Sequence, residues 1–203
     1  MVRRKKEDVE KTRESLLDAA EVVFLRRGVS SASLDEIARE AGLTRGALYW
    51  HFEDKKDIFR AMHERVKLPL DIMFEQLTGG DDPLQGLKAM CMHIFHSLET
   101  DVHARNVFTI MRMRYEDFNC AKNELAQEKA AKRAQVHAKF THVFEQIARQ
   151  HPLAEGVSPT FAATALHCFV SGVLWDYLQA PELMPLKEYA QPLVDGFFRS
   201  ILR

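Results

Sequence analysis

Apolar residues in this chain recur every three to four positions almost from end to end, and they do not alternate over any useful length. That period suits one face of a helix rather than a strand, so the expected class is all-α. Leu16, Leu17, Ala20, Val23 and Phe24 form the first stripe, closed by Arg26, Arg27 and Gly28. Ser33, with Glu36 three residues on, is the reciprocal cap that opens a second helix striped by Leu34, Ile37, Ala38 and Ala41. Gly42 and Leu43 turn the chain, and Thr44 caps a short third helix ending near Phe52. A fourth runs from about Asp54 to Gly79 and Gly80 with Ile58, Phe59, Met62, Val66, Ile72, Met73 and Leu77 inward, and Pro69 is expected to bend it. Further helices are expected over 83–99, 103–114, 116–150, 158–179 and 185–202, separated by turn signals at Asp81-Asp82-Pro83, His151-Pro152, Gly156 and Pro181.

With 203 residues and a hydrophobic share of 46%, the chain can bury a substantial core. No apolar run approaches the ~20 residues needed to cross a bilayer, and no apolar leader follows the first methionine, so a cytoplasmic protein without a membrane partner is expected. Cys91, Cys120 and Cys168 are odd in number and widely spaced, which fits reduced thiols rather than a disulfide framework. The net charge of −1 hides an asymmetry: residues 1–67 hold 15 Lys and Arg against 13 Asp and Glu, with the excess at Arg3, Arg4, Lys5 and Lys6. A basic arm ahead of a folded domain would track phosphates, and a solubilising tail would look the same.

The most informative stretch is Ser33 to Lys56, SLDEIAREAGLTRGALYWHFEDKK. Two short helices flank a glycine turn, the layout of a helix-turn-helix whose second helix enters the major groove. Ala47, Leu48 and Phe52 face inward, while Thr44, Arg45, Gly46, Tyr49, Trp50 and His51 spread over the other faces. Arg45 suits guanine edges or phosphate, Gly46 allows close approach, and Thr44, Tyr49 and His51 offer donors to phosphate oxygens. Lys55 and Lys56 stand at the positive end of the fourth helix. The run Thr44-Arg45-Gly46-Ala47-Leu48-Tyr49-Trp50-His51-Phe52 followed by Lys55 resembles the signature of the TetR/AcrR family of repressors, and Phe169-Val170-Ser171-Gly172 together with the start Val2-Arg3-Arg4-Lys5-Lys6 is most similar to its efflux-pump regulators. The resemblance implies a three-helix DNA-binding domain over 1–54 and a larger helical ligand-binding and dimerisation domain over 55–203. The DNA-binding candidates are Ser33, Thr44, Arg45, Gly46, Ala47, Tyr49, Trp50, His51 and Lys55.

Beyond residue 83 the helices are rich in large, soft side chains such as Met90, Met92, Phe95 and Met113, a composition found both in cores and in adaptable binding sites. The resemblance implies an inducer site lined by Val66, Met90, Cys91, Ile94, Phe108, Met111, His167, Val170, Ser171 and Leu174, with Thr109 or Met113 as alternatives around Phe108 and Met111. Cys91, His93, His96 and His103 raise the question of a metal, but Cys91 points away from His93 and the residues between are apolar, so no metal site and no cofactor is expected. No phosphate loop, acid–base pair or nucleophile elbow appears, which argues against an enzyme. In the last helix one stripe is read as Leu186, Ala190, Leu193, Phe197 and Ile201, and another as Tyr189, Val194, Phe198 and Leu202; one of the two can pack on the chain's own core, and the other needs a partner, which a twin copy supplies. Small residues Ala162, Ala165, Ser171 and Gly172 would permit close approach. The expected function is an operator-binding, homodimeric repressor of an efflux operon released by a small hydrophobic inducer; the alternative is a metabolite-responsive, metal-responsive or thiol-responsive regulator of another operon.

Overall fold

The computed structural model describes residues 2–79, 82–113 and 124–203, and among these the regular structure is helical apart from one isolated antiparallel bridge between Leu153 and Leu202. The elements are α1 (Val2–Arg27), α2 (Leu34–Glu40), α3 (Arg45–His51), α4 (Lys55–Gly79), α5 (Pro83–Thr100), α6 (Val102–Met113), α7 (Glu124–Gln150), α8 (Pro159–Gln179) and α9 (Leu186–Ile201). The expected end of the sixth helix at 114, the start of the seventh at 116, the residues Gly80 and Asp81, and Cys120 lie outside the described residues. α1 begins far earlier than its apolar stripe: the basic start expected as an arm is the first turn of the helix itself. Between Lys6 and Leu16 there is no glycine or proline, and oppositely charged residues four apart, such as Glu7 and Lys11, favour continuation.

The chain divides into two compact units, Met1–Leu68 with Asp101–Cys120, and Pro69–Thr100 with Ala121–Arg203. In the first, Leu16, Leu17, Ala20, Val23 and Phe24 of α1 close on Ile37 and Ala38 of α2, Leu48 of α3, and Ile58 and Met62 of α4. Burying each of the large side chains contributes roughly 1.5–3 kcal/mol. α6 joins this core through Val107 and Ile110, 1% and 0% exposed. It was expected among the helices of the larger domain; its stripe announced a buried face but not its partner.

α1, α4 and α6 are also tied by a polar clasp around Glu21, whose side chain is only 2% exposed. Arg65 on α4 donates from Nη1 to Glu21 Oε1 at 3.0 Å, from Nη2 to Asp18 Oδ1 at 2.8 Å, and from Nε to Glu14 Oε2 at 2.9 Å. From α6, His103 Nδ1 lies 2.9 Å from Glu21 Oε2, and Asn106 Nδ2 donates to the same oxygen at 3.1 Å. A carboxylate this deep is tolerable only because both oxygens are engaged. Ligand atoms of Asp18, Glu21 and His103 lie within 4.8 Å of one another, and the Arg65 guanidinium already donates to both carboxylates.

In the second unit α8 packs on α7 and α9, and α5 packs on α9 and α7. α8 is long and apolar enough to cross a membrane by length and composition; here Ala162, Ala163, Leu166, Val173, Leu174 and Tyr177 are buried within the unit. The stripe of α9 regroups relative to expectation: Leu186, Ala190, Val194, Phe198 and Ile201 are buried, whereas Leu193 and Phe197 are half-buried. Steps of three and four both fit a helix, and packing against α5 selects between them. The C-terminus is pinned where Ala154 N donates to Ile201 O at 3.0 Å and Arg203 N to Pro152 O at 2.9 Å.

Glu21 and His103 make stability pH-dependent in a defined sense. The hydrogen bond that His103 donates to the Glu21 carboxylate raises the imidazole above its ordinary value of 6.5, against the opposing effect of burial. The contribution is therefore complete below pH 6.5 and fades as pH rises through the higher folded-state value. Urea midpoints of the wild type should fall as pH rises from about 6 to 9, and His103→Gln should flatten that slope. Glu21→Gln should cost about 3 kcal/mol, at the low end for breaking a buried ion pair because Arg65 keeps Glu14 and Asp18. Equal slopes in wild type and His103→Gln would refute the role of the clasp.

Candidate nucleic-acid interface

α2 opens with the expected reciprocal cap. Ser33 Oγ accepts from Glu36 N at 3.1 Å, and Glu36 Oε2 accepts from Ser33 N at 3.0 Å and from Ser33 Oγ at 3.1 Å. These bonds hold the Glu36 carboxyl below its usual range. The Ser33 hydroxyl is thereby spent as donor and acceptor inside the cap. At the other end Gly42 takes φ +68°, with nothing within 4 Å of where a Cβ would stand. The glycine is needed for its backbone angle rather than for space. Leu43 N reaches Ala38 O at 2.9 Å and Gly42 N reaches Arg39 O at 3.0 Å, the paired bonds of a Schellman turn.

This turn sets α3, whose N-cap Thr44 Oγ1 accepts from Ala47 N at 3.2 Å. Leu48 is sunk at 0% exposure while Trp50 is 68% and Tyr49 45% exposed. Arg45 is exposed and held on two sides: Nη1 donates to Asp35 Oδ2 at 3.4 Å, and Nη2 donates to Tyr49 Oη at 3.2 Å. These neighbours raise the arginine further above its ordinary value, the Tyr49 hydroxyl most and the Asp35 charge next. A Cβ on Gly46 would meet nothing within 4 Å but the Thr44 hydroxyl, at 3.9 Å. The chain itself makes no steric demand for glycine there. His51 is half-buried, stands edge-on to Trp50 with ring centroids 4.6 Å apart, and is pushed below its ordinary value by burial and by Arg13. Ala47 is half-buried. Thr44, Arg45, Gly46, Tyr49 and Trp50 thus share one open face.

Lys55, expected at a phosphate, is engaged with backbone oxygens. Its Nζ donates to the backbone carbonyls of Val29, Ser30 and Ala32 at 3.0, 2.6 and 2.7 Å. All three ammonium N–H groups are committed, tying the start of α4 to the loop after α1. The amide groups at that helix start are occupied too: Asp54 Oδ1 accepts from Lys56 N and Asp57 N, both at 2.8 Å. Lys56 remains exposed.

The inducer-site candidates fall into both compact units. Val66, Phe108 and Met111 belong to the first, where Val66 and Met111 pack against its core. Met90, Cys91, Ile94, His167, Val170, Ser171 and Leu174 belong to the second. Of these Met90, Cys91 and Leu174 are buried, Ile94, Val170 and Ser171 half-buried, and His167 exposed. Burial pushes the Cys91 thiol up to about 12, so it is a small apolar side chain rather than a thiolate. Sequence reasoning did not bring together Phe169 and Phe197, which stack at 4.8 Å between centroids, with Phe95 edge-on to Phe169 at 6.1 Å. Phe169 was quoted only as part of a motif; the signal for this ladder was three phenylalanines on stripes of α5, α8 and α9. Among the described residues Cys91, His93 and His96 do not form a cluster of metal donors.

The Lys55 geometry separates fold from phosphate binding. Lys55→Met should lower stability by about 1–3 kcal/mol through three deprived carbonyls, while the salt slope of DNA binding stays that of the wild type. A slope reduced by about one unit without loss of stability would instead make Lys55 a phosphate ligand.

Known proteins match both ends of the chain. The family model "Bacterial regulatory proteins, tetR family" matches residues 16–62, and "MAATS-type transcriptional repressor, C-terminal region" matches residues 82–202. The chain is 34% identical over 202 residues to the transcriptional repressor BepR of Brucella suis, covering 98% of this chain and 96% of that one. Among solved structures it is similar to NalD, the secondary repressor of the MexAB-OprM multidrug efflux pump of Pseudomonas aeruginosa, at 37% identity and TM-score 0.79, covering 97% of this chain and 98% of that one. It is also similar to the SmeT–triclosan complex, at 33% identity and TM-score 0.81, covering 95% and 92%; SmeT is the repressor of the SmeDEF multidrug efflux pump of Stenotrophomonas maltophilia. A capped helix-turn-helix with an open reading face and family matches running from residue 16 to residue 202 lead to one conclusion: this chain belongs to the TetR family of bacterial transcriptional regulators.

Proposed function

We propose that the protein is a cytoplasmic, homodimeric repressor of a multidrug efflux operon, released from its operator by small apolar compounds. The observation that carries this reading is the exposed face of α3, where Arg45, Tyr49 and Trp50 project from a helix anchored on its other side by buried Leu48. Residues 1–54 do the DNA-binding work. Arg45 reads a guanine edge, and Gly46 lets the duplex come close where the fold has no use for a glycine. Thr44 and Tyr49 donate to phosphate oxygens, and neutral His51 keeps one N–H for the same purpose. Residues 55–203 take the inducer and pair the protomers. Support for an apolar inducer comes from Met90, Ile94, Val170 and Leu174, and from the likeness to SmeT, which binds triclosan. Support for a dimer comes from Phe161 and Trp175 on α8, 56% and 43% exposed, with Gly172 on the same exposed stripe.

Inducer and operator are coupled by differential affinity, so each must weaken the other by the same factor. A duplex enriched by the wild-type protein from a random pool serves as operator, and triclosan as the first apolar probe. Calorimetric titration with and without that duplex should give matching factors of about 5–150. Val170→Trp should abolish triclosan binding and leave duplex affinity unchanged. Arg45→Ala should cost about 1–3 kcal/mol on the enriched duplex and relax its sequence preference. Bound ligand that leaves duplex affinity unaltered would overturn the induction reading.

A further inference from the structure

Asp35 occupies the second position of α2, where an acidic side chain ordinarily serves the positive end of the helix. That duty is already met by Glu36, locked in its cap with Ser33. The Asp35 carboxylate reaches instead across the turn to α3. Arg45 Nε lies 3.2 Å from Asp35 Oδ1, and Arg45 Nη1 donates to Oδ2 at 3.4 Å. Opposite it, Tyr49 accepts from Nη2, and the guanidinium carbon stands 5.3 Å from the Tyr49 ring centroid. The guanidinium is thus gripped by two helices while 64% of the Arg45 side chain stays open, leaving further N–H groups of the fork for an outside acceptor.

We propose that Asp35 is a specificity-determining residue, bracing Arg45 for one base and opposing the attachment of α3 to DNA of any other sequence. The proposal rests on the reading of α3 as the DNA-reading helix. Its logic comes from two opposing effects. A carboxylate beside a phosphate-lined duplex is repelled whatever the sequence, and its neutralisation of Arg45 removes part of the sequence-independent attraction. Holding the guanidinium in place before binding, however, spares the ordering of a long side chain. That gain is realised only where a base edge meets the fork. Asp35 therefore lowers affinity for all duplexes and restores it for the matching one, a repulsive element that sharpens discrimination.

The test is a double-mutant cycle on Asp35→Asn, Arg45→Ala and the double variant. Affinities are measured for the enriched duplex and for a shuffled duplex of the same composition, with thermal unfolding recorded for each protein. Asp35→Asn should bind the shuffled duplex about two- to five-fold more tightly, the scale of an exposed ion pair, and its matched-to-shuffled ratio should fall by at least that factor. With Arg45→Ala already present, Asp35→Asn should leave the ratio unchanged. An unchanged ratio in Asp35→Asn beside a lowered one in Arg45→Ala overturns the brace and leaves the reading helix standing. Equal losses on both duplexes with a lower unfolding temperature make Asp35 a helix-end residue and overturn the proposal as well. If Arg45→Ala itself leaves the ratio intact, the base-reading role of Arg45 falls, and the brace with it.

Discussion

A carboxylate almost wholly withdrawn from water is costly unless its charge is met, and at Glu21 it is met from two other helices. Arg65 takes one oxygen, His103 and Asn106 the other. Because the partners sit on α4 and α6, the bonds dictate where those helices lie against α1 more sharply than apolar contact does. Hydrophobic burial is non-directional, whereas a guanidinium or an imidazole must arrive at a given oxygen at a given angle. Leu16, Phe24, Ile58 and Ile110 supply the attraction in the first unit; Glu21 supplies the alignment on which the frame beneath the reading helix depends.

On that frame α3 is held by contacts directed at backbone, the paired bonds of the Gly42 turn and the Thr44 cap, while the Lys55 clasp ties the start of α4 to the loop after α1. This economy leaves the outward side chains of α3 uninvolved in folding. Little of the core rests on Arg45, Tyr49 and Trp50, and Arg45 is held at the surface by Asp35 and Tyr49. Lys55 carries the opposite lesson. A cation at this position suits a phosphate on charge alone, and its ammonium also has a place in the scaffold, on three backbone carbonyls.

How much of this was legible in the sequence depended on the range of the interaction. Helix ends with local chemistry were read closely: the Ser33–Glu36 box, the glycine turn and the Thr44 cap all involve residues within three or four positions. The all-α class followed from periodicity for the same reason. The partners of Lys55 lie 23 to 26 residues away and Asp35 lies ten from Arg45, and no local signal announces such pairings. α6 shows the same limit for packing, since its stripe at Ala104, Val107 and Ile110 marks a buried face without naming α1 as its partner. In α9 two readings of one helix satisfied the same period, and only tertiary packing chose between them. α1 was underestimated because charged residues can extend a helix without contributing an apolar stripe.

The chain has two tryptophans, one in each compact unit: Trp50 on the open face of α3, Trp175 on the outer side of α8. An indole in water emits at longer wavelength than one shielded by a partner, and a base or an aromatic compound stacked on it quenches its light. Each compact unit therefore carries its own intrinsic optical reporter, and replacing either indole with phenylalanine would leave the other to be watched in isolation, without any attached dye.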